Sequence, residues 1–181
     1  QERVEKIAKD ILKHFTNRTE TLPGKAMIVC MSRRNSVKMY EALTQLEGCP
    51  EIAVVMTGNI SKDPITWNPH IRTQEATEGL KKRFRNPKDP LQIVIVRDMW
   101  LTGFDAPCVH TMYVDKIMKG HNLMQAITRT NRVFKDKPSG VIVDYIGIGD
   151  QLRKATDKYT GGGGNGQPTI DMVQALNMFF Y

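Results

Sequence analysis

The chain has 181 residues, of which 26 are Lys or Arg and 19 are Asp or Glu, and its formal net charge is +7 at pH 7. A chain of this length can bury a core without disulfides or a metal, and its three widely spaced cysteines exclude a disulfide framework and a C-x-x-C zinc site. The positive charge suits an anionic partner such as nucleic acid or a nucleotide, and no apolar run approaches about 18 residues, so we expect a cytoplasmic protein with no membrane partner.

Helical patterns and short apolar runs alternate along the chain. Apolar residues three and four apart predict a helix at residues 2–16, and Pro23-Gly24 then separates it from the next element. A second helix is capped by Asn35 or Ser32 and extends to Gly48, a third covers residues 74–84, and residues 60–72 are expected to form a loop. Strands are predicted at residues 26–31, 52–56, 91–96, 109–114 and 140–144. This alternation predicts a three-layer α/β domain whose mainly parallel sheet is flanked by helices.

The C-terminal part departs from that pattern. After a predicted helix at residues 149–158, the run Gly-Gly-Gly-Gly-Asn-Gly at residues 161–166 is typical of a flexible linker. A last helix, capped by Thr169 or Asp171, carries a strongly apolar stripe. We therefore expect an N-terminal helix and linker (1–22), a central domain (23–158), and a Gly-rich linker with a C-terminal helical extension (159–181). The chain begins without Met, and we expect it to be a fragment of a longer protein.

Several kinds of reactive site are excluded by their missing patterns. The four histidines lie far apart without paired-ligand spacing, so no metal site is predicted, and no G-x-S-x-G motif is present. The cysteines are best explained as small core residues. The chain also lacks the G-x-x-x-x-G-K-[ST] loop that binds nucleotide phosphates. We therefore expect that it does not hydrolyse ATP on its own.

Candidate binding residues follow the third predicted strand, where open α/β sheets place their ligands. Within residues 97–107, Gly103 permits close backbone approach. Asp105 is an acceptor for a ribose hydroxyl, and Thr102 is a donor to a phosphate oxygen. A simple turn at Asp105-Ala-Pro explains part of this pattern equally well.

A second candidate is residues 125–132, with the sequence Gln-Ala-Ile-Thr-Arg-Thr-Asn-Arg, here called the arginine segment. If it is helical, Gln125, Arg129 and Arg132 share one face. The paired N–H donors of an arginine guanidinium group match phosphate oxygens, and its charge neutralises negative charge that develops during phosphoryl transfer. Taken alone, the segment is also compatible with a solvated basic face. The basic run Lys81, Lys82, Arg83, Arg85 and Lys88 leaves the same two alternatives, DNA backbone contact or a solvated helix end.

Together these segments resemble motifs V and VI in the second RecA-like domain of superfamily-two helicases and translocases. More narrowly, Trp-Leu-Thr-Gly-Phe-Asp-Ala-Pro at residues 100–107, with the arginine segment, is similar to the restriction (R, HsdR) subunit of type I restriction-modification enzymes. The resemblance spans roughly residues 22–150, and the Gly-rich segment is similar as well. Residues 26–34 take the place of motif IV. Thr128 departs from the general helicase pattern, which often has glycine there, and this weakens a generic helicase assignment.

The resemblance implies a role for each matched residue. Arg132 would act as the arginine finger, Arg129 as a second phosphate contact and Gln125 as their orienting residue. Gly103 and Asp105 would contact nucleotide. DNA phosphates would be contacted by Ser32, Arg33, Thr57, Gly58 and Thr102.

The resemblance also implies the setting of the domain. A first RecA-like domain elsewhere in the subunit would hold ATP and Mg²⁺, and the pair would translocate double-stranded DNA. The other expected partners are a nuclease domain of the same subunit and the methyltransferase and specificity subunits. The full-length subunit would be an ATP-dependent type I deoxyribonuclease, whereas the fragment would be inactive alone. Two alternatives stay open, another superfamily-two helicase or remodeller and a non-catalytic α/β module that binds nucleic acid.

Overall fold

The computed structural model describes residues 2–101, 103–118 and 140–147. In this part of the chain the helices are α1 (Glu2–Thr21), α2 (Arg33–Thr44) and α3 (Gln74–Arg85), and a 3-10 helix covers Ile65–His70. The strands are β1 (Lys25–Cys30), β2 (Glu51–Val55), β3 (Leu91–Val96), β4 (Val109–Asp115) and β5 (Val141–Asp144).

The five strands form one sheet in the order β2-β3-β1-β4-β5, and every neighbouring pair is parallel. In the centre of the sheet, Met27 of β1 is in register with Val94 of β3 and with Met112 of β4. β1 and β4 are buried along their whole length, as expected for parallel strands covered on both faces. The predicted parallel sheet is thus confirmed.

Helices and loops cover the two faces of the sheet differently. On one face, α1 and α2 pack over residues such as Ile28, Ile95 and Tyr113. On the other face, α3 and the segment between β3 and β4 pack over a cluster that includes Phe84 and Val94. The sheet is therefore the middle of three layers, and α1 contributes to the same core as the central domain.

Polar contacts fix α1 to the ends of β4 and β5. The Arg3 guanidinium donates to both carboxylate oxygens of Asp115, at 2.5 and 3.2 Å, and the Asp115 side chain is only 1% exposed. The Tyr145 hydroxyl donates to Asp10 at 2.5 Å. Because Arg3 neutralises a buried carboxylate, the start of α1 is tied to the place where β4 ends.

Three predicted elements differ from the structure. α1 ends at Thr21 rather than at residue 16, because its backbone bonds continue past the apolar pattern and the Thr19 hydroxyl donates to the Phe15 carbonyl at 2.9 Å. α2 begins at the cap Ser32 but ends at Thr44 instead of Gly48. Residues 60–72 contain the 3-10 helix and are therefore not entirely loop.

The strands agree with prediction to within one residue. The helices predicted within 121–132, at 149–158 and after the Gly-rich run lie outside the described residues.

Candidate functional site

The carboxyl ends of the parallel strands lie at one edge of the sheet, here called the carboxyl edge. In the described part, the segments that leave it begin at Met31, Met56, Arg97, Lys116 and Tyr145. Open α/β sheets bind ligands at this edge because polar loop residues and helix N-termini meet there. The predicted DNA contacts Ser32, Arg33, Thr57 and Gly58 all lie in these segments.

Arg33 and Thr57 are brought together by a network that organises the loop after β2. The Arg33 guanidinium binds the carboxylate of Asp63 through two hydrogen bonds, at 2.7 and 2.9 Å, and donates to the Thr57 carbonyl at 3.0 Å. It also lies 5.2 Å from the centroid of the Trp67 ring. The hydrogen bond from Arg33 lowers the pKa of Asp63, which also accepts from the Asn59 amide. Arg33 therefore has a structural task in addition to its predicted one.

Ser32 and Gly58 have local structural roles at the same edge. The Ser32 hydroxyl caps α2 by accepting from the Asn35 amide at 3.1 Å, which resolves the choice between the two predicted caps. At Gly58, an added Cβ would lie 2.6 Å from two side-chain carbons of Ile71. Glycine lets the backbone pass close to Ile71, and any larger residue would require the Ile71 side chain to move.

Arg97, Asp98 and Lys116 were missed by the sequence reasoning. Arg97 donates to the Met31 carbonyl at 3.4 Å, and Lys116 donates to the Arg97 carbonyl at 3.0 Å and to the Asp98 carboxylate. These contacts join the ends of β1, β3 and β4. Their positions in the sequence could have identified them, since each residue lies just beyond a buried strand. The carboxyl edge thus carries the cations Arg33, Arg97 and Lys116 at adjacent strand ends.

The exposed large apolar side chains of the described residues also lie in segments that leave the carboxyl edge. Ile60 and Ile65 flank the Asp63 turn after β2, and they are 63% and 81% exposed. Met31 follows β1 and Ile117 follows β4. This edge therefore combines exposed apolar atoms with cations.

The predicted nucleotide residues Gly103 and Asp105 lie apart from this group, in a segment here called the nucleotide loop (residues 103–105). From the carboxyl edge the chain returns across the sheet face to the end where β1 and β4 begin, and there the Lys25 amide donates to the Cys108 carbonyl at 2.9 Å. The Asp105 carbonyl accepts from Arg85, the last residue of α3. The structure therefore separates Gly103 and Asp105 from Arg33 and Thr57. Thr102, Gln125, Arg129 and Arg132 lie outside the described residues.

Aromatic stacking holds the nucleotide loop. Trp100 and Phe104 stack with ring centroids 4.5 Å apart, and Phe84 of α3 lies about 6 Å from both, at 6.0 and 6.1 Å. Gly103 has φ +68°, and no atom of the described residues lies within 4 Å of an added Cβ. Among the described residues, the loop is therefore packed on its inner side and uncovered at its glycine.

Most of the basic run at the end of α3 is engaged in contacts within the domain. Arg83 binds Glu51 and Asp89, whose carboxylates raise its pKa, and Lys81 pairs with Glu78. Arg85 contacts the nucleotide loop. Of this run, Lys82 and Lys88 are exposed without an ion pair among the described residues. These contacts favour a structural role for the run over DNA tracking.

Within residues 2–101, 103–118 and 140–147, no three His, Cys, Asp or Glu side chains are grouped so that they could hold a metal ion. Over the same residues, no helix has both the length and the apolarity that crossing a membrane requires.

Comparisons with known proteins identify relatives of this sequence. The family described as "Type I restriction enzyme subunit R domain 3" matches residues 65–147. A Methanocaldococcus jannaschii protein named as the endonuclease subunit of the type I restriction enzyme MjaIXP is 56% identical over 86% of this chain. The HindI endonuclease subunit of Haemophilus influenzae is 48% identical over 95% of it. The chain spans only 15% and 17% of the lengths of these two relatives.

Two solved structures share the fold. A fragment described as an HsdR subunit of a type I restriction enzyme from Vibrio vulnificus has a TM-score of 0.60, covers 91% of this chain and 32% of its own, and is 20% identical. Domain 2 of the DEAD-box helicase Mss116p, solved with an RNA duplex, has a TM-score of 0.58, covers 99% of this chain and 66% of its own, and is 18% identical. At these identities the likeness concerns the fold, which is that of RecA-like helicase domains.

Proposed function

This chain belongs to the family of type I restriction enzyme endonuclease (R) subunits, and from that premise we propose that it forms the second RecA-like half of an ATP-driven motor that translocates double-stranded DNA. The observation that carries the proposal is the family match at residues 65–147, which runs through both the nucleotide loop and the arginine segment. The sequence contains no phosphate-binding loop. The proposed motor therefore needs a second domain to complete it.

The nucleotide is bound by two parts of the chain. The backbone of Gly103 and the carboxylate of Asp105 contact ATP, and the open space beside Gly103 is compatible with a ligand there. Arg132 acts as the arginine finger and Arg129 as a second phosphate contact, with Gln125 orienting them. Two guanidiniums aimed at the phosphates would neutralise charge that develops as the terminal phosphate is transferred.

The magnesium ion is assigned to the other motor domain. The described residues offer no cluster of acidic side chains that fits such an ion. When bound, ATP and Mg²⁺ supply the phosphoryl group and its charge compensation. The residues of this chain bind and orient the nucleotide from the opposite side of the cleft.

The carboxyl edge binds the phosphates of double-stranded DNA. The described contacts use three of the five N–H groups of Arg33, and its side chain remains 36% exposed, so donors are left for a phosphate oxygen. Thr57, Gly58, Ser32 and Thr102 are assigned to the same backbone. Such contacts fix the position of the protein without reading the base sequence.

The setting of the motor is proposed from the family as well. The same subunit would contain the first RecA-like domain and a nuclease domain, and the methyltransferase and specificity subunits would complete the enzyme. Cleft closure on ATP and opening after hydrolysis would move the DNA. The complete subunit would act as a type I deoxyribonuclease in the cytoplasm, and this chain alone would be inactive.

The test is Arg132→Ala in the full-length subunit. We expect DNA-dependent ATP hydrolysis to fall by about 10³- to 10⁵-fold, the usual size of an arginine-finger effect, while DNA affinity stays nearly unchanged. Hydrolysis is measured by phosphate release and DNA affinity by fluorescence anisotropy at one fixed salt concentration. The matched control is Lys135→Ala, which removes a neighbouring positive charge that has no proposed role. Normal turnover by Arg132→Ala would contradict the finger assignment.

A further inference from the structure

The last carbonyl groups of a helix have no intrahelical hydrogen-bond donors. In α3, these carbonyl groups accept hydrogen bonds from buried side chains of the core. Lys25 is only 2% exposed, and its ammonium group donates to the Arg83 carbonyl at 3.2 Å. The Cys108 thiol donates to the carbonyls of Phe84 and Arg85, at 3.4 and 3.7 Å. The start of β1 and the segment before β4 therefore fix the place where α3 ends.

Arg85, at this fixed end, reaches the nucleotide loop. Its Nε donates to the Asp105 carbonyl at 2.9 Å, and its guanidinium carbon lies 5.0 Å from the centroid of the Phe104 ring. The hydrogen bond holds the backbone of Asp105, and the cation-π contact holds the preceding side chain. One side chain thus restrains two consecutive residues of the loop.

The backbone just before the nucleotide loop has a conformation that needs such support. Trp100 has φ 67°, which is the left-handed region that residues other than glycine rarely adopt, and Gly103 has φ +68°. A residue other than glycine is strained in this region and persists there only where surrounding contacts hold it, as at Trp100. The stacked rings of Phe84, Trp100 and Phe104 hold the apolar side of the loop. Arg85 holds its polar side.

From these contacts we propose that Arg85 is a positioning residue for nucleotide binding, acting through the backbone of Asp105. It holds the Asp105 carbonyl so that the carboxylate of the same residue is directed to the nucleotide, and the anchored end of α3 keeps this arrangement rigid. The proposal rests on the proposed nucleotide contact of Asp105. It assigns a task to an arginine that the sequence groups with a basic run for DNA.

The test compares variants of the full-length subunit at saturating double-stranded DNA. KM for ATP and kcat are measured from ATP hydrolysis, and Tm is measured to monitor folding. For Arg85→Ala we expect KM for ATP to rise about tenfold, the size of one lost hydrogen bond to a charged group, while kcat changes by less than about twofold. Arg85→Lys keeps a donor but loses the contact of the guanidinium group with the Phe104 ring, so its KM for ATP should lie between those of the unchanged subunit and of Arg85→Ala.

The control variant is Lys82→Ala, which removes an exposed charge from the same end of α3 and should leave KM unchanged. An equal rise of KM in Lys82→Ala and Arg85→Ala would overturn the proposal, because it would indicate a general effect of charge. A lower Tm with no rise of KM in Arg85→Ala would also overturn it, since the residue would then serve stability alone.

Asp105→Ala, assayed in parallel, separates this inference from the proposed function. If Asp105→Ala raises KM for ATP and Arg85→Ala does not, the positioning role fails while the nucleotide contact stands. If neither variant changes KM, the nucleotide contact itself fails. A rise in both, with an intermediate value for Arg85→Lys, supports the positioning role.

Discussion

Ion pairs occur at both ends of the sheet, and they include the pair of Arg3 with the buried Asp115 at the carboxyl edge and the exposed contacts of Arg83 at the opposite end. The two ends differ in what else holds the chain, because the opposite end also has closely packed buried side chains. Arg33 and Asp63 join the loop after β2 to α2, and Lys116 pairs with Asp98. At the other end, Phe84 is fully buried, and His110 and Lys25 are 1% and 2% exposed. The loops around Arg33 and Lys116 are here called the wet edge, and the packed region around Phe84, His110 and Lys25 is called the dry end.

The proposed function assigns a different task to each of these regions. Surface ion pairs contribute little to stability and exchange partners easily, so in that proposal the cations at the carboxyl edge exchange their partners for DNA phosphates at small cost. Buried packing fixes positions, and a nucleotide site needs fixed positions because catalytic contacts must be correctly placed before the reaction. The nucleotide loop has such packing through Trp100 and Phe104.

Phe84→Ala should give the largest effect on stability. The variant removes the ring that packs on Trp100 and Phe104 and leaves a cavity beneath the Lys25 ammonium group, which lies 5.5 Å from the ring centroid. We expect the free energy of unfolding to fall by about 3–5 kcal/mol, as measured by urea denaturation. The contrasting variant is Ile65→Ala at the wet edge, where the side chain is 81% exposed and little change is expected. Similar losses in the two variants would remove the distinction between the ends.

Gly24→Ala should give an intermediate effect at the dry end. An added Cβ would lie 2.3 Å from Cδ2 of His110, whose buried ring cannot move aside freely. Overpacking of this kind costs about 1–3 kcal/mol, which urea denaturation can measure.

The matched control for this variant is Gly79→Ala, on the exposed side of α3, where no atom in the described part of the chain lies within 4 Å of the added Cβ. Alanine favours the helix there, so we expect a gain of roughly 0.5–1 kcal/mol. If Gly24→Ala were as well tolerated as Gly79→Ala, the dry end would be less tightly packed than its contacts indicate.

The sequence allowed the strands and the fold class to be predicted, because each buried parallel strand is a local run of apolar residues, such as residues 91–96. It did not allow the partners of polar residues to be predicted. Arg33 pairs with Asp63, 30 positions away, and Arg85 with the carbonyl of Asp105, 20 positions away. Such pairs depend on strand order, in which β1 lies between β3 and β4, and no local pattern encodes that order.

The candidate site was predictable only in part for the same reason. The position of Asp105 after a buried strand indicated a binding loop, whereas Ser32 and Thr57 were assigned from the family resemblance. All three do follow strands. That Asp105 lies at the far end of the sheet follows from the path of residues 97–108 across one face. This path is set by the packing of Trp100 and Phe104, which the sequence presents only as two aromatic residues in a polar loop.

The smallest effect is expected at the carboxyl edge, for Arg33→Ala. Arg33 lowers the pKa of Asp63 below its ordinary value of 3.8, so the stabilisation from this pair is complete above that value and is lost as the pH falls through the lowered pKa. In the variant we expect the pKa of Asp63 to return towards 3.8, as measured by an NMR titration of its carboxyl carbon, with global stability nearly unchanged at pH 7.

Arg97→Ala, at the end of β3, should leave the titration of Asp63 unaltered because Arg97 contacts Asp98 and the Met31 carbonyl instead. A large loss of global stability in Arg33→Ala would mean that this pair belongs to the fixed framework and is not free to exchange with a phosphate.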